Sequence, residues 1–236
     1  MQDVLEAALA AFAGSPIRTV PAGRTDSGVH GLNQVVHLDT ALERRETAWV
    51  RGTNRFLPDD VAVQWARAVE PAFHARASAR GRRYRYRLLS APVRPSLETG
   101  LVGWTHRALD GEAMRAAAGV LVGTHDFSAF RAAECQAPSP VKTLRTLQIA
   151  SDAAGVRWTF DLEADAFLHH MVRNVVGSLL AVGTGDRDVA WLASVLAGRD
   201  RARAAPTFPA AGLYFVGPWY DPAFAIPDGM PDAATG

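Results

Sequence analysis

The segment RRYRYRLL, residues 82–89, alternates apolar side chains with arginines. Successive side chains of a β-strand point to opposite faces, so this period of two predicts a strand with Tyr84, Tyr86 and Leu88 on one face. The other face carries Arg83, Arg85 and Arg87. Such a strand can turn one face to a hydrophobic core or a base and the other to water or phosphate.

The segments around this strand carry helical and strand patterns in alternation. Apolar spacing and capping residues predict helices over 4–12, 47–56, 110–122, 166–183 and 188–198. Period-two or continuous apolar runs predict further strands over 35–40, 61–69, 156–164 and 212–220. The hairpin-like spacing of several strands favours antiparallel or mixed sheets, and therefore an α+β fold class.

Composition narrows the class of protein. The chain has 236 residues, 48% of them apolar, which is enough for one large domain or two small ones. Its single cysteine, Cys135, cannot form an internal disulfide, and acidic residues stand near the N-terminus where a secretory signal would be basic. No apolar run reaches the length of a membrane span. These features predict a cytoplasmic protein.

Arginines are concentrated in one region of a chain whose net charge is only +1. No acidic residue occurs from Pro71 to Leu97. We call the arginines of this window the basic stripe: Arg76, Arg80, Arg82, Arg83, Arg85, Arg87 and Arg94. The stripe fits an anionic partner. It equally fits compositional bias, because every basic residue except Lys142 is an arginine.

The segment AGRTDSGVH, residues 22–30, has the composition of a tight loop. Arg24 and Asp26 are two residues apart, so in an extended loop they point the same way. A carboxylate beside a guanidinium stays ionised and can act as a nucleophile or base. The alternative is a structural turn with a surface ion pair.

The neighbouring His169 and His170 raise the question of a metal. On a helix, adjacent side chains diverge by about 100°, so these two are not expected to chelate one ion. A buried or capping histidine is favoured instead, and no metal site is predicted. Cys135 has no base at a fixed spacing and is expected to be a structural thiol.

Five segments together resemble the TruA family of tRNA pseudouridine synthases in their order and spacing. They are AGRTDSGVHG, FHARASARGRRYRYRLL, THDFSAFR with CQ close behind, AFLHHMVRNVVGSLL and AAGLYFVGPWY. The resemblance extends over nearly the whole chain. It implies the α+β pseudouridine synthase fold: two subdomains with joined antiparallel or mixed sheets, flanking helices and a central basic cleft. The subdomains are expected at 1–78, with the aspartate loop, and at 79–236.

The resemblance and the composition also lead to expectations for the two ends of the chain. Members of the family usually begin with a strand and a Gly-Trp-Gln segment before the first helix, whereas here Met1 falls directly at that helix. The first strand is therefore expected to be missing, and the chain to be less stable without it. The tail after Tyr220 is rich in Pro, Gly and Ala and is expected to be frayed.

The reaction that the resemblance implies turns uridine into pseudouridine. It breaks the bond from C1' to N1 and remakes it from C1' to C5, without redox change, metal or cofactor. Asp26 would be the catalytic carboxylate, either attacking C1' or taking the 2' proton to give a glycal, and the sequence leaves both open. Arg173 would pair with Asp26. Tyr84 would stack on the target base and assist proton removal from C5.

The resemblance also implies how the substrate is held. The partner would be tRNA, modified at positions 38–40 of the anticodon stem-loop, with the target base flipped out. Arg24 would fill the vacated place. The other substrate-binding residues would be His30, Arg76, Arg83 and Arg85. A homodimer without membrane association is expected. Two rivals stay open: a catalytically silent tRNA-binding protein of the same fold, and a hydrolase using Asp26 with His30.

Overall fold

The computed structural model describes residues 1–227. Contacts between residues divide this part of the chain into two compact units. The first unit contains Met1–Arg24, Gln34–Ala79 and the described residues from Tyr220 onward; the second contains Thr25–Asn33 and Arg80–Trp219. The loop with Asp26 thus belongs by its contacts to the second unit, because the strand that follows it pairs with a strand near residue 214. The predicted domain boundary after residue 78 stays a prediction.

Five α-helices occur in the described residues: α1 (Gln2–Ala13), α2 (Glu46–Asn54), α3 (Gly111–Leu121), α4 (Met171–Gly183) and α5 (Val189–Gly198). Capping residues of the sequence mark the start of α3 and α5 and the end of α1. Asp110 accepts hydrogen bonds from the N–H groups of Glu112 and Ala113, and Asp188 accepts one from Trp191, so both start their helices as predicted. Gly14, with φ of 75°, ends α1 in the left-handed region that favours glycine.

Nine strands are described: β1 (Val20–Pro21), β2 (His30–Gly31), β3 (Val36–His37), β4 (Gly81–Ser90), β5 (Gly103–Thr105), β6 (Gly123–Asp126), β7 (Val141–Ser151), β8 (Arg157–Ala164) and β9 (Leu213–Trp219). In the first unit β1 pairs antiparallel with β3. In the second unit seven strands form one sheet in the order β2-β9-β4-β8-β7-β6, with β5 beside β4. β2 and β5 run parallel to their neighbours and the other pairs are antiparallel, which confirms the predicted α+β class with a mixed sheet.

The core of the second unit lies where α3, α4 and α5 cover the sheet. β4 turns Tyr86 and Leu88 into this core, as its period of two predicted. β8 contributes Trp158, Phe160 and Leu162 in the same alternation. Burying each of these large side chains stabilises the fold by about 1.5 to 3 kcal/mol, so the two central strands anchor the unit.

The first unit has a small core of its own. Phe12 of α1 packs edge-on against Trp49 of α2, with ring centroids 5.2 Å apart. A separate apolar cluster is centred on the buried Phe73, whose ring lies 5.1 Å from that of Tyr220 and 5.3 Å from that of Phe224. Tyr220 and Phe224 are thus packed, and the predicted frayed tail otherwise falls on residues 228–236, outside the described residues.

Several predictions of secondary structure were wrong or incomplete. Residues 61–69 form no strand; instead the backbone of Val63 exchanges hydrogen bonds with the side chain of Asn54. The strand expected over 35–40 is reduced to the two residues of β3. β7 was missed because its pairing with β8 shifts register between Leu144 and Thr146, which breaks the alternation along the strand.

No helix within residues 1–227 is both long and apolar enough to cross a bilayer.

Candidate active site

Asp26 stands at the start of a tight turn. The Val29 N–H donates to the Asp26 carbonyl at 3.1 Å, closing a four-residue turn over residues 26–29. Gly28 has φ of 81°, which a residue with a side chain adopts only at a cost. β2 begins at His30, directly after the turn, and pairs with β9. The glycine and the strand pairing together fix where Asp26 stands in the second unit.

The carboxylate of Asp26 is surrounded by three side-chain nitrogen atoms from one short segment. The Nε2 atom of His169 lies 3.1 Å from Oδ1, the Nε2 atom of His170 lies 3.2 Å from Oδ2, and Arg173 donates through a terminal guanidinium nitrogen to Oδ2 at 3.1 Å. An ionised carboxylate only accepts hydrogen bonds, so Nε2 of His169 donates to Oδ1, whereas Nε2 of His170 lies close to Oδ2 without forming a hydrogen bond. The ion pair between Arg173 and Asp26 that the resemblance implied is present.

Arg173 is held rigidly in place. Its side chain is only 15% exposed, and its Nε–H donates to the Phe208 carbonyl at 2.7 Å. The loop with Phe208 can approach α4 closely because residue 177 is glycine: a Cβ there would lie 2.4 Å from the Pro206 carbonyl oxygen. The guanidinium is therefore aimed at Asp26 before any substrate binds, and leaving such a group without its partner is costly.

His169 and His170 precede α4 rather than belonging to it. α4 begins at Met171, and His170 is its N-cap in a left-handed conformation with φ of 61°. The expectation that the two rings diverge by a helical rotation was wrong, because that backbone turn brings them to a centroid distance of 4.0 Å, both beside Asp26. Helical spacing could not have indicated the contact, because both histidines lie before the first residue of α4.

Tyr84 of β4 lies in an aromatic setting beside this cluster. Its ring packs edge-on against Phe167 at 5.0 Å and tilted against Phe215 at 5.1 Å. Burial, with a contribution from the charge of Asp26, raises the pKa of Tyr84 to about 12. The phenol thus stays protonated at neutral pH and can donate a hydrogen bond. Tyr86, two residues on, is buried, and the single hydrogen of its hydroxyl lies between the carbonyl oxygens of Ala211 at 2.7 Å and Pro209 at 2.9 Å.

The spacing of the carboxylate and the two imidazoles also allows a metal ion to be considered. One ligand atom from each of Asp26, His169 and His170 lies within 4.8 Å of the others. However, Arg173 already places a positive charge on Oδ2, and the start of α4 carries the partial positive charge of a helix N-terminus. Both features favour an anion and oppose a cation. The site is thus better suited to hold an ionised carboxylate than a metal.

His30 is placed differently from the expectation for a partner of Asp26. Its ring stacks on Tyr214 at a centroid distance of 4.6 Å, and its Nε2 atom lies 2.8 Å from the Gly100 carbonyl oxygen. The histidines that contact Asp26 are His169 and His170. A hydrolase built on Asp26 with His30 is thus disfavoured, because the imidazole nitrogen is engaged elsewhere.

The predicted substrate-binding arginines differ in exposure. Arg24 and Arg76 are exposed in the first unit, and Arg83 and Arg85 are half-buried on β4. The Arg85 guanidinium forms an ion pair of 2.7 Å with Asp161, its cross-strand neighbour on β8. The charge of Arg85 is therefore largely compensated by Asp161.

The chain is similar to known proteins over nearly its whole length. A family profile described as tRNA pseudouridine synthase matches residues 117–221. A protein of Methylibium petroleiphilum named tRNA pseudouridine synthase A is 63% identical over 231 residues, which span 98% of this chain and 88% of that protein. Proteins of the same name from Variovorax paradoxus and Paracidovorax citrulli are 60% and 59% identical, over 96% and 97% of this chain and 85% and 88% of their own lengths.

Proposed function

This chain belongs to the tRNA pseudouridine synthase A family, and from that premise we propose that it isomerises uridine at positions 38–40 of the tRNA anticodon stem-loop, with Asp26 as the catalytic carboxylate. Its class is that of an isomerase acting on tRNA. The target positions follow from the resemblance to the family, and the roles of the residues rest on the site. The observation that carries them is the Asp26 carboxylate, held on both oxygens by His169, His170 and Arg173.

The chemistry needs an ionised carboxylate at the ribose. After the glycosidic bond to N1 breaks, C1' must be held until it bonds to C5. Asp26 does this either by adding to C1' or by accepting the 2' proton, and both routes start from the anionic form. Arg173 stabilises that form, and its anchorage on the Phe208 carbonyl keeps the guanidinium in place while charge moves.

Tyr84 supplies a ring and a phenol next to this carboxylate. The aromatic face can stack on the detached uracil while it turns from N1 to C5. With its pKa raised to about 12 by burial, the phenol works as a hydrogen-bond donor and leaves the first proton transfers to other groups. We assign Tyr84 to base positioning and to the later relay of the C5 proton.

The RNA is proposed to be held by charge and by base flipping. Arg24, which is exposed and two residues before Asp26 in the sequence, would stack in the place of the flipped uridine. Arg76, Arg83, Arg85 and His30 remain the proposed substrate contacts, with Arg76 the most exposed. A homodimer in the cytoplasm completes the proposal. No metal or cofactor is assigned to any step.

One assay tests the function against its nearest rival, a silent tRNA-binding protein. Purified protein is incubated with tRNA that carries tritium at C5 of uridine, because only re-bonding at C5 releases the label. We expect release, and mapping of the product should place pseudouridine at positions 38–40. Tight tRNA binding without release would favour the silent protein, and release from other positions would change the assigned target.

The dependence of tRNA affinity on salt should distinguish the exposed Arg76 from Arg85, which is half-buried on β4. Each lost phosphate contact flattens the slope of log affinity against log salt by about one unit. We expect Arg76→Ala to show this change and Arg85→Ala to show less, because Asp161 already compensates Arg85. Fluorescence anisotropy with labelled tRNA from about 50 to 200 mM salt measures both. Equal slopes for Arg76→Ala and the unchanged protein would remove Arg76 from the RNA contact.

Chelation of divalent metals should leave turnover unchanged, provided that the tRNA stays folded. The reason is that Arg173 and the start of α4 already supply positive charge at Asp26. The experiment measures tritium release after exhaustive treatment with a chelator, with tRNA folding followed by melting curves. Loss of activity that only zinc or another transition metal restores would make Asp26, His169 and His170 a metal site.

A further inference from the structure

The two histidines beside Asp26 have no part in the reaction as described so far. Both contact the carboxylate, at 3.1 Å from His169 and 3.2 Å from His170. They approach opposite oxygens, so with Arg173 they restrict both its position and its rotation. Side chains that fix a reacting group contribute to rate because small displacements are costly in catalysis.

The backbone of His170 is strained. Among non-glycine residues in the described part of the chain, only His170, Arg199 and Ala225 have positive φ. Left-handed backbone suits glycine or asparagine and costs other residues about 1 to 2 kcal/mol. His170 is also the N-cap of α4 and makes no side-chain capping bond. At this position the backbone is strained and the side chain does not cap the helix, and the imidazole contacts Asp26 instead.

A second segment, residues 130–135, forms hydrogen bonds with the backbone and side chains on both sides of His170. The His169 carbonyl accepts from Ala132 N–H at 3.0 Å, and its N–H donates to the Cys135 sulfur at 3.3 Å. The side-chain amide of Asn174 donates to the Phe130 carbonyl at 2.8 Å. These bonds give Phe130, Ala132 and Cys135 a supporting role. Because the backbone on both sides is tied down, the left-handed turn persists.

We propose that His170 is a positioning residue of this enzyme, and that its left-handed backbone places the imidazole against Oδ2 while His169 holds Oδ1. The inference rests on the proposed role of Asp26. His170 acts through the carboxylate: it limits the rotation of Asp26, so that one oxygen stays directed at the ribose.

The charge of the ring gives the inference a measurable consequence. His170 is faced by Asp26, His169, Arg173 and Glu134. Burial first, and then the neighbouring His169 and Arg173, lower its pKa below the usual 6.5 despite the opposing effect of Asp26. The ring is therefore neutral at pH 7. Protonation in acid adds a second cation at Oδ2, makes the carboxylate less reactive and slows the reaction.

The test compares two substitutions that remove the same ring. His170→Gly suits the left-handed backbone, and His170→Ala does not. We expect both substitutions to lower the single-turnover rate about tenfold at neutral pH. Both should also remove, to the same extent, the decrease in rate that acid causes in the wild-type protein. The thermal midpoint of unfolding should be higher for glycine than for alanine. Arg199→Gly, at a strained position on the C-cap of α5, should keep the wild-type rate and profile.

The outcomes separate this inference from the proposed function. A wild-type single-turnover rate and a wild-type acid limb of the pH profile in His170→Gly would overturn the positioning role. So would a rate for His170→Ala much lower than that for His170→Gly, because activity would then follow the stability of the fold. Either result leaves the function standing if Asp26→Asn is inactive. Absence of tritium release from the wild-type protein would instead remove the proposed function.

Discussion

Asp26→Asn is expected to abolish tritium release from C5-labelled tRNA. The amide is neutral and a poor nucleophile, so neither addition to C1' nor removal of the 2' proton can proceed at a useful rate. Removing the nucleophile of an enzyme commonly costs more than about 10⁴-fold in turnover. Binding of tRNA should stay within about tenfold, because phosphate contacts dominate affinity. Single-turnover assays and anisotropy measure the two quantities separately.

A matched control makes that result specific. Asp3→Asn makes the same chemical change on the exposed N-terminal turn of α1 and should leave turnover unchanged. Circular dichroism of both variants verifies that the fold persists. Turnover in Asp26→Asn near that of the control would exclude Asp26 as the catalytic carboxylate, and with it the mechanism proposed above.

Arg173→Leu is expected to lower turnover by about 10²- to 10³-fold, the range found when one preorganised charge-stabilising donor is removed. The substitution leaves Asp26 with the two histidines and leaves the Phe208 carbonyl without its donor. We also expect a loss of about 1 kcal/mol in the free energy of unfolding, since the partly buried Phe208 carbonyl loses its hydrogen bond from Arg173. Single-turnover rates and denaturant titration provide the measurements.

Two further variants separate charge from geometry at this position. Arg173→Lys keeps the positive charge but cannot bond the Phe208 carbonyl and Asp26 in the same planar arrangement, so partial activity is expected. Arg115→Leu, exposed on α3, serves as the control for the loss of an arginine. If the rate of Arg173→Leu equals the rate of the Arg115→Leu control, Arg173 has only a structural role.

Local pattern predicted most of the second unit. The alternation in β4 and β8 and the Asp caps of α3 and α5 identified these elements, because side-chain period and capping chemistry are properties of a few neighbouring residues. Sequence patterns gave wrong predictions where contacts with residues distant in the sequence determine the secondary structure. β7 depends on a register shift opposite β8, and residues 61–69 have strand-like composition, but Val63 bonds the Asn54 side chain instead of a strand.

The sequence by itself determined the family, the α+β class, and Asp26 and Arg173 as partners, since these follow from motifs in order along the chain. Only the tertiary structure decided what surrounds the carboxylate. His169 and His170 approach Asp26 because one residue turns left-handed before α4, and His30 stays away because its ring stacks on Tyr214. Backbone hydrogen bonds from Ala132 and to Cys135, more than 30 residues away along the chain, hold that turn. A helical period cannot reveal such a turn, because it describes only residues already within the helix.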